Sequence, residues 1–114
     1  MTLRTQALTP HFAVAAQMDA SLVTDAVAMG FKTLVNNRPD GEGGPDQPLS
    51  SSVEAAARAA GLHYVYLPVV GGAITPAQVQ AMREAMQTAP QPVLAFCRSG
   101  ARSAQLYALT QQAE

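Results

Sequence analysis

Residues 92–103 of the chain read PVLAFCRSGARS. The run 92–96 is continuously apolar, which is typical of a strand that is covered on both faces of a sheet. Apolar residues return at helical spacing after the loop, so we expect a helix from about residue 102 to 112 with Leu106 and Leu109 facing inward. The stretch therefore predicts a central strand, a short loop and a helix in direct succession.

Strand-like and helix-like segments alternate along the chain before this stretch. Runs rich in apolar and branched residues predict strands over 12–16, 31–36 and 63–70. Three helices are predicted between these runs. The first has an N-cap at Asp19, ends at Gly30 and has an apolar face of Leu22, Val23, Ala26 and Val27. The second begins with a capping box of Ser51 and Glu54 and ends at Gly61, and the third begins with a capping box of Thr75 and Gln78 and has a buried face of Val79, Met82 and Met86. Such alternation predicts an α/β fold, in which a small parallel or mostly parallel sheet is flanked by helices on both faces.

Length and composition limit the kinds of protein this chain can be. With 114 residues it has room for one domain, 1–114. Hydrophobic residues make up 48%, charged residues 13%, and the net charge is -1. These values exclude a disordered chain, nucleic-acid recognition through a basic face and a polybasic membrane anchor. No apolar run has the length of a membrane span, and the low charge content is compatible with a homodimer.

Cys97 is the only cysteine of the chain. A single cysteine excludes an internal disulfide, and we therefore expect a cytoplasmic protein. The usual zinc sites need several Cys or His ligands at short spacing, whereas His11 and His63 lie far from Cys97 in sequence. We expect no metal and no other cofactor.

The loop between the last strand and the last helix carries the candidate chemistry. A loop that closes into a helix N-terminus directs backbone N–H groups inward and can hold a tetrahedral anion, and Gly100 permits the backbone conformation that this needs. The same partial positive charge favours the thiolate of Cys97, the nucleophilic form. Arg102 can form a forked contact with the anion, and Ser103 can donate a hydrogen bond to the sulfur. A buried, inert cysteine is the alternative, and the two nearby arginines make it the weaker one.

The loop resembles the active-site loop of single-domain rhodaneses, which carry sulfur as a cysteine persulfide. The whole chain resembles the beta-lactamase-hydrolase-like, phosphatase-like domain family, which is similar in fold to dual-specificity phosphatases. The resembling segments are Gln17, residues 35–42 (VNNRPDGE), residues 61–64 (GLHY), residues 67–69 (LPV) and the cysteine loop. The resemblance implies a phosphatase/rhodanese-like three-layer sandwich, with Arg98, Ser99, Gly100 and Ala101 contacting the substrate beside Cys97, Arg102 and Ser103.

Two departures from the phosphatase pattern favour sulfur transfer over phosphoryl transfer. Tyrosine and dual-specificity phosphatases place five residues between Cys and Arg, whereas four separate Cys97 from Arg102. The general acid of those phosphatases follows a segment like residues 67–69, but here the chain continues as Val-Gly-Gly-Ala over 70–73. Asp40 or Glu42 can supply the acid only if the loop 37–48 folds over the site.

We therefore expect a sulfurtransferase in which Cys97 takes sulfur from a small anionic donor, thiosulfate or glutathione persulfide, and passes it to a thiol acceptor. A persulfide-oxidising partner protein is compatible with this activity. Arg38 follows the second predicted strand and can reach the anion from the opposite side. The alternatives are a phosphatase that acts through a Cys97 phosphocysteine, and a non-catalytic anion-binding module.

Overall fold

The structure is a computed structural model that describes residues 2–112. Within this range the strands are β1 (Gln6–Thr9), β2 (Phe12–Ala15), β3 (Thr33–Asn36), β4 (His63–Tyr66) and β5 (Val93–Phe96), and the helices are α1 (Ala20–Ala28), α2 (Ser50–Ala59), α3 (Pro76–Thr88) and α4 (Ala101–Thr110). The alternation predicted for residues 12–112 is confirmed, and each predicted strand is one to four residues shorter than its apolar run.

The sheet has the strand order β1-β2-β5-β3-β4. Strands β2, β5, β3 and β4 are parallel, and β5 lies between β2 and β3. The continuous apolar run therefore does form the central strand. Because these strands are parallel, the loops that follow β2, β3, β4 and β5 all lie at the carboxyl end of the sheet, where α/β proteins bind their ligands.

Helices cover both faces of the sheet, as the alternation predicts. Along β5, Leu94 and Phe96 pack in one core with residues of α1 and α2, whereas Val93 and Ala95 pack in a second core with residues of α3 and α4. Neighbouring strand residues point to opposite faces, so a run that is apolar at every position fits a strand buried on both sides. The mixed α/β sandwich predicted from the sequence is confirmed.

The sequence patterns did not predict β1. This strand pairs antiparallel with β2 at the edge of the sheet, and its residues are mostly exposed. A short, solvent-exposed edge strand has no apolar alternation to mark it, because only its backbone pairing holds it in place. The sheet is therefore mostly parallel rather than wholly parallel.

Three local predictions were wrong. The helix over 50–59 begins without the capping box of Ser51 and Glu54: its N-cap is Leu49, which makes no side-chain capping bond. Val27 is 40% exposed instead of packed, because the buried face of α1 consists of Leu22, Val23 and Ala26. Strand β4 ends at Tyr66 instead of Val70, since the chain turns away to reach α3. The caps predicted at Asp19 and at Thr75 with Gln78 are confirmed.

Candidate active site

The loop of Cys97 lies at the carboxyl ends of the three inner strands. Its first amide donates to the carbonyl of Ala15 at the end of β2 (3.4 Å), and the carbonyl of Phe96 accepts from the amide of Asn37 after β3 (2.8 Å). The amide of Gln17 donates to the carbonyl of Arg98 (3.4 Å). The cysteine loop is therefore held between the segments that follow the two strands beside β5.

Gly100 makes the turn from this loop into α4. It is the N-cap of the helix, with φ +95°, and no side chain caps the helix there. A Cβ at Gly100 would lie 3.3 Å from the carbonyl oxygen of Ala15, so a larger residue would be crowded as well as strained. The glycine amide instead donates to Cys97 Sγ over 3.1 Å. The sulfur takes the place of a capping side chain.

Cys97 is 1% exposed, and its surroundings favour the thiolate. Burial by itself raises the pKa of the thiol, but hydrogen bonds from the backbone amides of Ser103, Ser99 and Gly100, together with the Ser103 side chain, outweigh burial and lower that pKa below its ordinary value. The closest of these donors is the Gly100 amide, 3.1 Å from the sulfur. Such a cysteine is prepared to act as a nucleophile.

Ser103 is fully buried, and its hydroxyl donates to Asn37 Oδ1 over 2.8 Å. The Asn37 side chain in turn donates from Nδ2 to the carbonyl of Leu67 over 2.9 Å. The Ser103 side chain also helps to lower the pKa of Cys97, while its hydroxyl is hydrogen-bonded to Asn37. Asn37 was not among the predicted site residues, although its place directly after a buried strand could have indicated it.

Arg102 lies in the first turn of α4 and forms a bidentate ion pair with Glu42. Its Nη1 is 2.9 Å from Glu42 Oε2, and its Nη2 is 3.0 Å from Glu42 Oε1. Nη1 also donates to the carbonyl of Val69 over 3.0 Å. Arg102 is therefore oriented by the loops that follow β3 and β4.

Arg38 reaches the same carboxylate from the other side. Its Nε is 3.0 Å from Glu42 Oε1, and its Nη1 donates to Gln17 Oε1 over 3.2 Å. Hydrogen bonds from Arg102 first and Arg38 second lower the pKa of Glu42 although partial burial raises it. Glu42 therefore carries a charge at neutral pH, and the loop 37–48 does reach the site through this residue.

The remaining predicted residues occupy less central positions. Asp40 does not face the cysteine loop through any hydrogen bond: its Oδ1 accepts from the amide of Ser50 at the start of α2 (2.8 Å). Arg98, Ser99 and Ala101 are exposed at the mouth of the loop, where a substrate could contact them. The structure thus joins Arg102, Glu42 and Arg38 in one ion-pair network, places Cys97 and Ser103 in the adjoining loop and helix turn, and leaves Asp40 at a helix end.

Neither a membrane-spanning helix nor a cluster of metal ligands is found among the described residues. No helix within 2–112 is long and apolar enough to span a bilayer. Among the same residues, no three His, Cys, Asp or Glu side chains lie together in a way that could hold a metal ion.

Comparison with known proteins places the chain in a family. Residues 3–114 match the family "Beta-lactamase hydrolase-like protein, phosphatase-like domain", so the chain belongs to that family. A beta-lactamase hydrolase-like protein of Xylella fastidiosa (strain Temecula1 / ATCC 700964) is 40% identical over 101 residues, which are 89% of this chain and 23% of that protein. The chain thus spans about a quarter of the length of this curated relative.

Solved structures show the same fold. A candidate phosphatase from Neisseria meningitidis Z2491 superposes with a TM-score of 0.81 at 29% identity, over 92% of this chain and 72% of that one. The active form of Tk-PTP gives a TM-score of 0.68 at 19% identity, over 90% of this chain and 67% of that one, and this likeness concerns the fold alone. The phosphatase-like fold implied by the sequence resemblance is therefore confirmed.

Proposed function

We propose that this domain is a cysteine-dependent sulfurtransferase that passes sulfane sulfur through a persulfide on Cys97. The observation that supports this most is the state of Glu42 and Asp40, the two carboxyl groups that the sequence offered as a general acid. Glu42 is held as an anion by Arg102 and Arg38, and Asp40 accepts from the start of α2. Sulfur transfer requires no acid, because sulfite or a thiolate is a good leaving group.

The first half-reaction is a displacement at sulfur. The Cys97 thiolate attacks the outer sulfur of thiosulfate, the S–S bond of thiosulfate breaks, and sulfite leaves with the electron pair. With a glutathione persulfide as donor, glutathione thiolate leaves in the same way. The loop amides that contact Sγ, and Arg102 beside them, would stabilise the donor's negative charge.

The second half-reaction returns the cysteine. The thiolate of an acceptor attacks the outer sulfur of the Cys97 persulfide, and Cys97 leaves as a thiolate with the electron pair. One cysteine is sufficient for this cycle, and the lowered pKa of Cys97 makes it a good leaving group as well as a nucleophile. We further propose a small thiol as the acceptor.

A phosphatase is the second candidate, and the comparisons favour it over sulfur transfer. The family is described as phosphatase-like, and the Neisseria meningitidis structure is of a candidate phosphatase. Cys97 would attack phosphorus, and an acid would protonate the leaving alcohol or phenol. Asp46, in the same loop as Glu42, is the exposed carboxyl there that makes no hydrogen bond or ion pair within residues 2–112, so it joins Asp40 and Glu42 as a candidate acid.

A non-catalytic anion-binding module is the third alternative. It would need the loop amides and Arg102 but no reactive thiol. The amides that converge on Cys97 Sγ lower its pKa, which a binding module does not require. This alternative therefore has less support than the two enzymes.

Mass spectrometry of the intact protein separates the two enzymes. The protein is incubated with thiosulfate or glutathione persulfide, and in parallel with an aryl phosphate. The proposal expects a gain in mass of one sulfur atom, which a thiol acceptor then removes. Since the chain has one cysteine, the modified residue is Cys97 without further mapping.

Two variants sharpen this experiment. Arg102→Lys keeps the charge but loses the forked contact, so it should slow sulfur loading by about tenfold or more. Arg58→Lys is the matched control, because Arg58 forms an exposed ion pair with Glu54 on α2. Phosphate release that depends on Cys97, with no sulfur loading, would overturn the sulfurtransferase and establish the phosphatase. Release that falls further in Asp46→Asn would identify its acid.

A further inference from the structure

We propose that Gly71 is a specificity-determining residue, because the side chain that it lacks leaves one edge of the Arg102 guanidinium open to a tetrahedral oxyanion. This inference deepens the proposed function and rests on it only in that Arg102 binds the anionic end of the substrate. In thiosulfate this end is the sulfonate group, and in the phosphatase alternative it is the phosphate group.

The side chain of Arg102 is only partly occupied by the protein. Nη1 donates to Glu42 Oε2 (2.9 Å) and to the carbonyl of Val69 (3.0 Å), and Nη2 donates to Glu42 Oε1 (3.0 Å). A carboxylate that bridges Nη1 and Nη2 occupies the outer end of the planar guanidinium. The N–H of Nε and the second N–H of Nη2 remain, side by side on one edge of the plane, and within residues 2–112 they donate to no acceptor.

This open edge of Arg102 reaches solvent. The side chain is 14% exposed, and no buried side-chain nitrogen or oxygen within the described range lacks a hydrogen-bond partner. Since Nε has no partner, it is not a buried atom, and a ligand can approach it. Two adjacent N–H groups of a guanidinium match two oxygens of one oxyanion, so this edge fits a sulfonate, sulfate or phosphate group.

Gly71 lies beside the open edge. A Cβ at Gly71 would be 3.4 Å from Arg102 Nε, 3.6 Å from Nη2 and 3.8 Å from Cζ. Because both nitrogens would be nearer than Cζ, the added carbon would lie beyond the Nε–Nη2 edge, on the side to which these N–H groups point. It would fit without a clash, but it would take space that an oxygen at hydrogen-bonding distance, about 2.9 Å from nitrogen, also needs.

The backbone requires a glycine at residue 72 but not at residue 71. The amide of Ala73 donates to the carbonyl of Val70 over 3.0 Å and closes a turn over residues 70–73. Within this turn only Gly72 has a positive φ, +77°, and a Cβ there would meet nothing within 4 Å. The position before it in such a turn accepts most residues. The space beside Arg102, rather than the backbone conformation, therefore distinguishes Gly71.

The turn is also fixed relative to Arg102. Val69, directly before it, is 1% exposed, and its carbonyl accepts from Arg102 Nη1. The amide of Val69 donates to the carbonyl of Asn37 after β3 (3.0 Å). With both backbone groups of Val69 engaged, a side chain added at residue 71 stays next to the guanidinium.

Titration with sulfate tests the open edge without turnover, because sulfate has the oxyanion but no sulfur to transfer. In the unaltered protein, the Nε–H resonance of Arg102 should shift as sulfate binds. The Nε–H resonance of Arg38 is the internal control and should shift less, since this group already donates to Glu42 Oε1 over 3.0 Å. An Arg102 resonance that ignores sulfate, or a larger shift at Arg38, would overturn the proposal, because the anion would then bind elsewhere or replace Glu42.

A variant of Gly71 tests its role directly. Gly71→Ala should weaken sulfate binding by about tenfold, the effect of losing one hydrogen bond to a charged group. Gly72→Asn is the matched control, because it adds a side chain to the same turn where nothing lies within 4 Å, and asparagine tolerates a positive φ. It should bind sulfate like the unaltered protein. Unchanged binding in Gly71→Ala, or equal weakening in both variants, would refute the inference.

Sulfur loading separates the anion from the cysteine. Gly71→Ala should need about tenfold more thiosulfate for half-maximal loading of Cys97, but it should load normally from 2-hydroxyethyl persulfide, which has no oxyanion. Equal losses with both donors would mean that Gly71 acts on the cysteine instead, and would overturn the proposal. If neither donor loads sulfur while the sulfate titrations behave as expected, the proposed sulfurtransferase fails and this inference stands.

Discussion

Helices α2 and α4 both begin at the edge of the sheet where the candidate site lies, but their first amides have different partners. At α2, the amide of Ser50 is occupied by the carboxylate of Asp40. At α4, the amide of Ala101 donates to Ser99 Oγ (3.4 Å), and the amide of the N-cap Gly100 donates to the sulfur of Cys97. Both helix N-termini attract negative charge. A charged carboxylate accepts from the amide at the start of α2, whereas a neutral hydroxyl and the sulfur of Cys97 accept from the amides at the start of α4.

The largest difference between the two helix starts is expected when the sulfur is removed. Cys97→Ser should lower sulfur transfer, or phosphoryl transfer, by about a thousandfold or more, because the serine hydroxyl is a poor nucleophile without a base. Ser52→Ala, on the exposed side of α2, is the control and should keep full activity. Steady-state assays on both variants test this, and a Cys97→Ser protein with normal turnover would remove the basis for either enzyme.

The second prediction concerns the glycine that opens α4. Gly100→Ala should lower the free energy of unfolding by roughly 1–2 kcal/mol through its positive φ alone, and further because the new Cβ meets the carbonyl of Ala15. Gly61 follows α2 at φ +86°, and a Cβ there would have nothing within 4 Å. Gly61→Ala should therefore lose only the stability that the positive φ costs. Urea unfolding compares the two, and Cys97 alkylation should slow only in Gly100→Ala. Equal losses of stability would mean that the close contact with Ala15 costs nothing.

The third prediction tests the cap of α2. Asp40→Ala should destabilise the protein by about 1 kcal/mol, the usual effect of losing a helix cap. Ser51→Ala should change stability by less than about 0.5 kcal/mol, because Ser51 is exposed and not the cap. Thermal or urea unfolding measures both variants. A larger loss of stability in Ser51→Ala than in Asp40→Ala would support the capping box predicted from the sequence.

The smallest expected effect concerns the pH dependence of Glu42. Because Arg102 and Arg38 lower its pKa in the folded state, its contribution to stability is present above the unfolded pKa and is lost as pH falls through the folded one. Glu42→Gln should therefore be less stable at neutral pH by no more than about 1 kcal/mol, since the carboxylate is partly exposed to solvent.

Unfolding curves measured from neutral to acidic pH test this. The gap between Glu42→Gln and the unaltered protein should close as the pH falls. Glu54→Gln removes a more exposed pair on α2 and should give a smaller gap at neutral pH. A gap that stays constant with pH would mean that the charge of Glu42 does not contribute.

The features that the sequence predicted are those that depend on neighbours along the chain. The apolar run 92–96 marked the central strand, and the residues from Cys97 to Gly100 form a loop between that strand and a helix, as the pattern indicates. The caps at Asp19 and Thr75 were also readable, because each partner is three residues away. In each of these patterns the interacting residues are close in sequence, so the pattern itself indicates which contact forms.

The features that were missed depend on residues far apart in sequence. Glu42 and Arg102 are 60 positions apart, and Ser103 and Asn37 are 66 apart. Asp40 reaches the start of α2 across ten positions, which is longer than any capping box. Only the meeting of the loops at one edge of the sheet brings these groups together, and no short pattern encodes that meeting.

The placement of β5 has a consequence for how the protein is made. This strand fills the gap between β2 and β3, yet it is the last strand within residues 2–112, so residues 2–92 are synthesised before the centre of the sheet can form. Its pairs with β2 and β3 join residues separated by about 60 to 80 positions, and closing such long segments is slow. The thiol follows β5 directly. We therefore expect the nucleophile to gain its reactivity only after β5 has paired with β2 and β3, so that a chain in which β5 is still unpaired carries no active sulfur.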